Sequence, residues 1–152
     1  MPGILDRATF RVLVKNAPLV SIDLIVRNEL REVLLGLRKN SPAKDTWFVP
    51  GGRIWKDETI EVAFKRITED ELGTAIDLKN AEFIGVYDHL HEGNFANEAG
   101  YGTHYIVLAH EIKMSTELNA LPLKQHGVYD WFSEQRLLQD ARVHPFTKDY
   151  FR

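Results

Sequence analysis

The sequence predicts a mixed α/β domain, in which β-strands combine with amphipathic helices. Six segments are rich in β-branched and aromatic residues and are bounded by turn formers, as strands are. Three further segments carry apolar residues at helical spacing or begin with a helix-capping residue. With 152 residues, 44% of them hydrophobic and 27% charged, the chain has the composition of one ordinary globular domain, which we expect to span residues 1–152.

The first predicted element is a helix over residues 6–16, in which Phe10, Leu13 and Val14 stand at helical spacing and Pro18 follows the end. The first strand is the apolar run LVSIDLIV at residues 19–26. The other predicted strands are residues 32–37, 46–50, 83–90, 103–112 and 128–132. This mixture of strands and helices predicts a fold that combines a β-sheet layer with helical layers.

The clearest predicted helix covers residues 59–72, where an apolar stripe is followed by Gly73, a residue type that commonly ends helices. The stripe consists of Ile60, Ala63, Phe64 and Ile67. Ser133 is expected to cap a short helix that reaches Leu138. The polar loop 91–102 is long enough to be a lid or a specificity loop, and a loop without functional consequence is an equal alternative.

Composition also excludes several classes of function. The chain has no cysteine, which excludes a disulfide scaffold and a thiolate metal site and fits a reducing compartment, so we expect a cytoplasmic protein. An excess of 22 acidic over 19 basic residues argues against a nucleic-acid-coating surface. No apolar run approaches the ~20 residues that a bilayer span requires, and the charged amino terminus does not resemble a signal peptide, so we expect no membrane partner.

The stretch GGRIWKDETIEVAFKRITEDELG, residues 51–73, carries the chemical information. A double glycine allows backbone to approach a ligand closely, and Asp70 and Glu71 offer the hard oxygen ligands that Mg²⁺ and Mn²⁺ prefer. The alternative is an exposed helix end, in which an Arg66–Asp70 pair contributes a few tenths of a kcal/mol. Physical chemistry alone favours the second interpretation, because charged residues on a helix are usually solvated.

The order of residues overturns that interpretation. Gly52, five residues, Glu58, seven residues, Arg66, then Glu71 and Gly73 resembles the Nudix box, the metal-binding signature of the Nudix hydrolases. Four further segments extend the likeness over residues 18–132 to one subgroup, the GDP-mannose mannosyl hydrolases. These segments are LVSIDLIV, LLGLRKNSPAKDTWFVPGGR, THY at residues 103–105 and QH at residues 125–126. The resemblance implies a Nudix-type α/β sandwich, with a mixed β-sheet between α-helices, and a homodimer.

One departure from the general box identifies this subgroup. The position after Arg66, usually a glutamate in Nudix enzymes, is Ile67, which can neither bind metal nor accept a proton. The resemblance then implies that water attacks the anomeric carbon of a GDP-sugar and that GDP leaves with inversion. It assigns the general base to His126, a residue type whose ordinary pKa of ~6.5 leaves it largely neutral at pH 7.

The resemblance also implies a ligand set for one divalent ion, Mg²⁺ or alternatively Mn²⁺. The protein ligands are the carbonyl of Gly51, the carboxylate of Glu71 and the side-chain oxygen of Gln125, and substrate and water complete the shell. Asp70 departs from the subgroup, where a small apolar residue stands. It is either a second ligand or a solvated carboxylate at the helix end.

Further site residues are carried over from the same subgroup. Arg38 and Arg53 match cations near the diphosphate, and Tyr105 matches a donor to the leaving group, although a strand tyrosine alone would indicate packing. Asp23 and His89 match residues that contact the sugar or orient the water, and an unpaired aspartate inside an apolar strand would be costly to bury.

The residues that remain are expected to be structural. Arg66 is expected to pair with Glu58 and to orient the loop instead of touching substrate. His104 and His110 should share one face of their strand, opposite Tyr105. We assign no role to these two histidines or to His91 and His144, which we interpret as surface or packing residues.

Three functions are therefore compared. The first is hydrolysis of a GDP-sugar, with GDP-mannose first and GDP-glucose second, to GDP and free sugar. The second is ordinary Nudix cleavage of a nucleoside diphosphate derivative at phosphorus, which the acidity of Asp70 keeps open. The third is a non-catalytic, Nudix-like binding module, which should have lost ligands such as Glu71 and Gln125.

Overall fold

The computed structural model describes residues 4–123 and 126–152 of the chain. Its strands are β1 (Leu19–Arg27), β2 (Val33–Arg38), β3 (Trp47–Phe48), β4 (Gly51–Arg53), β5 (Glu82–His91), β6 (Thr103–Lys113) and β7 (His126–Phe132). Its helices are α1 (Arg7–Asn16), α2 (Ile60–Leu72), α3 (Glu134–Gln139) and α4 (Pro145–Asp149). No helix within the described ranges is long and apolar enough to cross a bilayer.

The strands form one mixed sheet of seven strands, in the order β3-β2-β1-β6-β5, with β4 also paired to β1 and β7 to β2. The central pair, β1 with β6, is parallel, and the other pairs are antiparallel. The antiparallel pairing of β1 with β4 places Asp23 opposite Gly51 and Ser21 opposite Arg53. The double glycine is therefore held directly beside the centre of the sheet.

Two apolar cores lie on opposite faces of this sheet. The first joins Ile22, Leu24 and Val26 of β1 to Phe64 and Ile67 of α2. The second joins Ile25 and other strand residues to Leu137 of α3, with side chains from α4 packed against it. Because neighbouring strand residues point to opposite faces, β1 contributes to both cores. The prediction of a mixed sheet between helices is confirmed.

The helix of the box follows the prediction closely. Thr59 caps α2 by accepting a hydrogen bond from the Val62 amide, and Gly73 ends it in the left-handed region at φ 77°. Ala63, Phe64 and Ile67 are buried as the apolar stripe requires. The prediction was wrong for Ile60, which is 45% exposed, because the first residue of the helix lies beyond the edge of the core.

Two elements were missed from the sequence. Strand β4 consists of GGR, and paired glycines in a sequence indicate a loop more than a strand. Helix α4 has only five residues, PFTKD, which is too short to show a helical period, although proline at its first position is a helix-start signal. The third predicted strand, residues 46–50, reduces to the two residues of β3.

Candidate active site

A cavity of about 230 Å³ opens beside the paired strands β1, β4 and β6. The strands contribute its floor, α1 contributes Phe10, and the segment after β2 contributes Pro42 and Ala43. The polar and charged side chains that line it are Ser21, Asp23, Arg38, Arg53, His89, His91 and Tyr105. Predicted site residues that are far apart in sequence therefore meet in one place.

Asp23 is the buried carboxylate of this cavity, and its partner is Tyr150, which donates a hydrogen bond to Oδ2. Burial raises the pKa of Asp23 to about 7, although the hydrogen bond from Tyr150 and the charge of Arg38 oppose the shift. The sequence correctly marked this aspartate as unusual. It could not show the partner, because the two residues are 127 positions apart.

Arg38, Arg53 and Tyr105 form the cationic side of the cavity. Arg38 Nε donates to the carbonyl oxygen of Pro42 at 2.9 Å, and the guanidinium of Arg53 lies 5.5 Å from the ring centre of Phe10. Burial lowers the pKa of both arginines. Burial raises the pKa of Tyr105, and both arginines oppose that shift. Two guanidinium groups and a phenol hydroxyl thus lie at one wall of the cavity. Their positive charge and hydrogen-bond donors suit an anion such as a diphosphate.

The loop between β4 and α2 is held by Glu58 and Arg66, as predicted. Arg66 Nε donates to Glu58 Oε2 at 2.7 Å and Nη2 donates to Oε1 at 2.8 Å, so the pair is bidentate. Arg66 Nη2 also donates to the carbonyl oxygen of Arg53 at 2.8 Å, and its guanidinium lies 3.7 Å from the ring centre of Trp55. Arg66 therefore orients the backbone that presents Arg53.

The carboxylates of α2 occupy different environments. Glu71 is buried at 4% exposure, and its charge opposes the lowering of the pKa of Arg38 by burial, which links it electrostatically to the cavity. The side chain of Asp70 is 44% exposed and lies 3.5 Å from Arg66 Nη1. Ile67 is 1% exposed and packs in the first core, where a side chain added to Gly52 would touch it.

The predicted metal ligands were compared with these positions. A side chain on Gly51 would collide with Asp23 Oδ1 and with the carbonyl oxygen of Ile22, so only glycine fits this strand position. Within the described ranges, no group of three or more His, Cys, Asp or Glu side chains is placed to hold a metal. One carboxylate, one carbonyl and one amide would form a different, hard-oxygen set that fits Mg²⁺ or Mn²⁺. Gln125, the amide, lies outside the described residues.

His126 lies at the start of β7, opposite Arg38 in the pairing of β7 with β2. It is buried against Gly36, where an added side chain would overlap the imidazole ring. Burial lowers the pKa of His126 to about 4, and the charge of Arg38 adds to the shift. Its Nδ1 has no hydrogen-bond partner in the described part of the chain, although the Gly36 backbone lies near enough to oppose the shift.

A cluster of aromatic and imidazole rings forms the remaining wall. His89 stacks on Phe146 of α4, with ring centres 4.5 Å apart and planes 9° from parallel, and burial lowers the pKa of His89 to about 4. His91 packs against Phe48 and Phe146, as expected of a packing residue, and it also lines the cavity. Its even spacing from His89 on one strand places both rings on the same face. His144 packs against Phe48 and caps α4, as a structural residue does.

The loop 91–102 is organised around buried Asn94. Asn94 Nδ2 donates to the carbonyl oxygens of Glu98 and Tyr101, both at 2.9 Å, and its Oδ1 accepts from two backbone amides. Glu98 also accepts from Arg11 of α1, and Asn97 Oδ1 accepts from Ser41 Oγ at 2.9 Å. The loop is thus tied to α1 and to the segment after β2, which both border the cavity.

The predicted residues therefore separate into two sets. Asp23, Arg38, Gly51, Arg53, His89 and Tyr105 line one cavity. Glu71 and His126 are buried outside its lining, each close enough to Arg38 for a charge interaction. His110 lies on β6 between Phe64 and Phe83, and His104 lies near Asp88, which agrees with the interpretation that neither belongs to the site.

The buried histidines predict a pH dependence of stability. Burial lowers the pKa of His89 and His126 to about 4 and of His91 to about 3, so the unfolded chain binds three more protons there as pH falls below ~6.5. Asp23 has the opposite effect. Its pKa is raised to about 7, so the folded chain binds one proton there that the unfolded chain does not bind. A net excess of two protons should reduce the free energy of unfolding by on the order of 2–3 kcal/mol per pH unit between pH 6 and pH 5.

Denaturant unfolding at several pH values, in the presence of a chelator, measures this slope. The His126→Gln variant should show a shallower slope, because one proton is removed from the balance. Stability that stays constant from pH 6 to pH 5 would contradict the neutral, buried state of these histidines.

Comparison with known proteins agrees with this geometry. A NUDIX domain model matches residues 17–152. The chain is 36% identical over 152 residues to the low-salt glycan biosynthesis protein Agl8 of Haloferax volcanii, covering 95% of this chain and 92% of that protein. The MutT NUDIX hydrolase from Burkholderia pseudomallei superposes with a TM-score of 0.70 and 26% identity, over 89% of this chain and 96% of that one.

A MutT protein from Methanosarcina mazei Go1 superposes with a TM-score of 0.69 and 20% identity, over 90% of this chain and 92% of that chain. The NUDIX domain of Shewanella oneidensis NrtR, solved in complex with ADP ribose, gives a TM-score of 0.62 at 19% identity, over 97% of each chain. At these identities the likeness describes the fold alone.

Proposed function

The chain belongs to the NUDIX domain family and is a Nudix hydrolase, and from this premise we propose that it hydrolyses a GDP-sugar to GDP and free sugar. One observation carries the proposal. Ile67, where Nudix enzymes usually hold a glutamate, is buried in the apolar core, whereas Asp23, His89 and Tyr105 gather in the cavity on the other side of the double glycine. This arrangement supports a site for a sugar as well as for a diphosphate.

The diphosphate would lie against the cationic wall. Arg38 and Arg53 line the cavity with Tyr105, and hydrogen bonds from these groups would stabilise the charge that grows on departing GDP. Gly51, Glu71 and Gln125 would hold Mg²⁺ or Mn²⁺, which supplies positive charge to the diphosphate when bound. The Glu58–Arg66 pair keeps the backbone of Arg53 in place, so it supports the same wall.

The sugar would lie between Asp23 and His89, and water would attack its anomeric carbon. The ring oxygen of the sugar can share the positive charge that develops there, and the bound diphosphate is a stabilised leaving group. We assign the general base to His126. Burial and Arg38 lower its pKa to about 4, so its ring is neutral at pH 7 and can accept the proton of the attacking water.

The relative from Haloferax volcanii supports the substrate class. That protein is described as acting in low-salt glycan biosynthesis, and nucleotide-activated sugars are the chemical class that glycan assembly consumes. Together with the resemblance to GDP-mannose mannosyl hydrolases, this favours GDP-mannose first and GDP-glucose second. The same resemblance supports a homodimer in which each chain forms one domain. Sedimentation equilibrium would test this oligomeric state.

A second candidate is ordinary Nudix cleavage at phosphorus. Asp70 favours it, because this carboxylate stands beside Glu71 and its side chain, which pairs with Arg66, is 44% exposed, so a second ion could reach it from solvent. The products separate the two candidates. Hydrolysis at carbon gives GDP and free sugar, and hydrolysis at phosphorus gives GMP and sugar phosphate. Absence of turnover over a panel of nucleotide sugars with Mg²⁺ would favour a binding module instead.

The bond that breaks gives the sharpest test. In ¹⁸O-labelled water, turnover should place the label in the sugar and none in GDP, because the oxygen of water becomes bonded to the anomeric carbon. An α-linked sugar should appear first as its β anomer in proton NMR spectra, before mutarotation, since His126 delivers water opposite the leaving group. Label in phosphate, or retention at the anomeric carbon, would contradict the mechanism.

A further inference from the structure

The chain's last helix, α4, is followed directly by Tyr150, which reaches the buried side of the cavity. The Tyr150 hydroxyl donates to Oδ2 of Asp23 and lies 3.4 Å from Nε2 of His89. Its ring packs against that of Tyr87, with centres 4.7 Å apart and planes at 88°. Asp23 and His89 line the cavity, and Tyr150 contacts both of them without being one of the described lining residues.

We propose that Tyr150 is a positioning residue, whose hydroxyl holds one oxygen of Asp23 so that the carboxylate presents its other oxygen to a hydroxyl group of the bound sugar. This inference rests on the proposed function, because it requires a sugar in the cavity. It assigns Tyr150 a part in sugar recognition that neither the Nudix box nor its flanking segments indicate.

The two oxygens of Asp23 have different surroundings, which is the first argument. Oδ2 is taken by the hydroxyl of Tyr150. Oδ1 lies beside Gly51, where an added side chain would collide with it, and Gly51 lines the cavity. A carboxylate that is held between the strand partner on one side and a hydroxyl donor on the other has little freedom to rotate. The orientation is therefore set before substrate binds, which lowers the entropic cost of recognition.

The second argument concerns the hydroxyl itself. Packing against Tyr87 and His89 requires only the ring, which phenylalanine would supply equally well. A buried tyrosine hydroxyl needs a hydrogen-bond partner, and above pH 7, where Asp23 is ionised, this bond is stronger than one between neutral groups. The hydroxyl is thus explained by its hydrogen bond to the carboxylate. Without the hydroxyl, the buried Oδ2 of Asp23 would lose this donor.

The third argument is that the same segment positions both residues on the sugar side. Phe146 of α4 stacks on His89 with planes 9° from parallel, and Tyr150 follows at the end of α4. One turn of helix thereby sets the plane of the imidazole and the orientation of the carboxylate. The cationic wall, formed by Arg38, Arg53 and Tyr105, receives neither of these contacts.

The test is Tyr150→Phe, assayed with the best GDP-sugar and with its monodeoxy analogues. We expect kcat/KM for the parent sugar to fall by about 10- to 100-fold, as loss of an oriented hydrogen bond to a charged group does. One analogue lacks the hydroxyl whose hydrogen bond Asp23 accepts. For that analogue, kcat/KM should be nearly insensitive to the substitution. Affinity for GDP alone and for Mn²⁺ should stay within about twofold, since neither contains the hexose that Asp23 is proposed to recognise.

Two further variants control the experiment. Tyr87→Phe removes a neighbouring hydroxyl from the same ring cluster and should leave the analogue pattern unchanged. Asp23→Asn keeps the size of the side chain and should spare the same analogue as Tyr150→Phe does. If Tyr150→Phe lowers kcat/KM equally for every analogue, or weakens GDP binding in parallel, the hydroxyl is only structural and the inference is wrong. If the wild type cleaves no nucleotide sugar, the proposed function fails first, and this inference fails with it.

Discussion

Replacing His126 with glutamine is expected to slow turnover of a GDP-sugar by about 10²- to 10⁴-fold, the usual contribution of a positioned general base. Glutamine keeps a polar side chain of similar length but cannot accept a proton from water. Burial lowers the pKa of His126 to about 4, so the wild-type ring is neutral and active throughout the neutral range. The acid limb of the kcat profile should therefore lie well below pH 6.5, and the variant should lose that limb.

The matched control is His104→Gln on β6. His104 is partly exposed and lies 3.3 Å from Asp88, away from the cavity lining, so its loss should change kcat by less than about threefold. Mn²⁺ affinity of the His126 variant, followed by electron paramagnetic resonance, should stay near that of the wild type. A His126 variant with an unchanged pH profile would show that another residue abstracts the proton.

Replacing Glu71 with glutamine is expected to reduce kcat/KM by about 10²- to 10³-fold, because Glu71 is proposed to hold a metal ion, and a bound metal ion contributes several kcal/mol of charge stabilisation in the transition state. Glu71 is buried at 4% exposure, so water cannot easily replace the lost carboxylate. The amide of glutamine is nearly isosteric, which separates the loss of charge from a loss of packing. Mn²⁺ affinity should fall together with activity, and excess metal should restore part of the rate.

Asp70→Asn is the control on the same turn of α2. The Asp70 side chain is 44% exposed and pairs with Arg66 at 3.5 Å, an interaction whose loss costs less than about 1 kcal/mol at such exposure. Its activity should fall much less than that of the Glu71 variant. If the two losses are reversed, Asp70 carries the metal, and the ordinary Nudix mechanism at phosphorus is preferred.

Much of the fold could be predicted because local patterns and tertiary structure agree. The cap at Thr59, the apolar stripe of α2 and Gly73 all specify the same helix, and the apolar run that begins at Leu19 is the central strand. The GGR segment could not be predicted as a strand. Its strand character comes from pairing with β1, and nothing local in a double glycine favours an extended conformation.

The site was only partly predictable for the same reason. Asp23, Arg38, Arg53, His89 and Tyr105 could be chosen because the box and its flanking segments match a known pattern, and the structure places them around one cavity. The contribution of α4 could not be chosen in this way. Phe146 and Tyr150 act through contacts with residues more than fifty positions away, and a five-residue helix gives no periodic signal of its own.

Side chains alternate between the two faces of β1, so neighbouring residues of one strand meet two different requirements. Ile22 and Leu24 face the core beneath α2, while Ser21 and Asp23, one position away in each case, face the substrate cavity. Substrate preference can therefore change at Ser21 and Asp23 while Ile22 and Leu24 continue to meet the folding requirement. A strand of this kind allows the ligand preference of the cavity to change without loss of fold stability, provided that no insertion or deletion shifts the register.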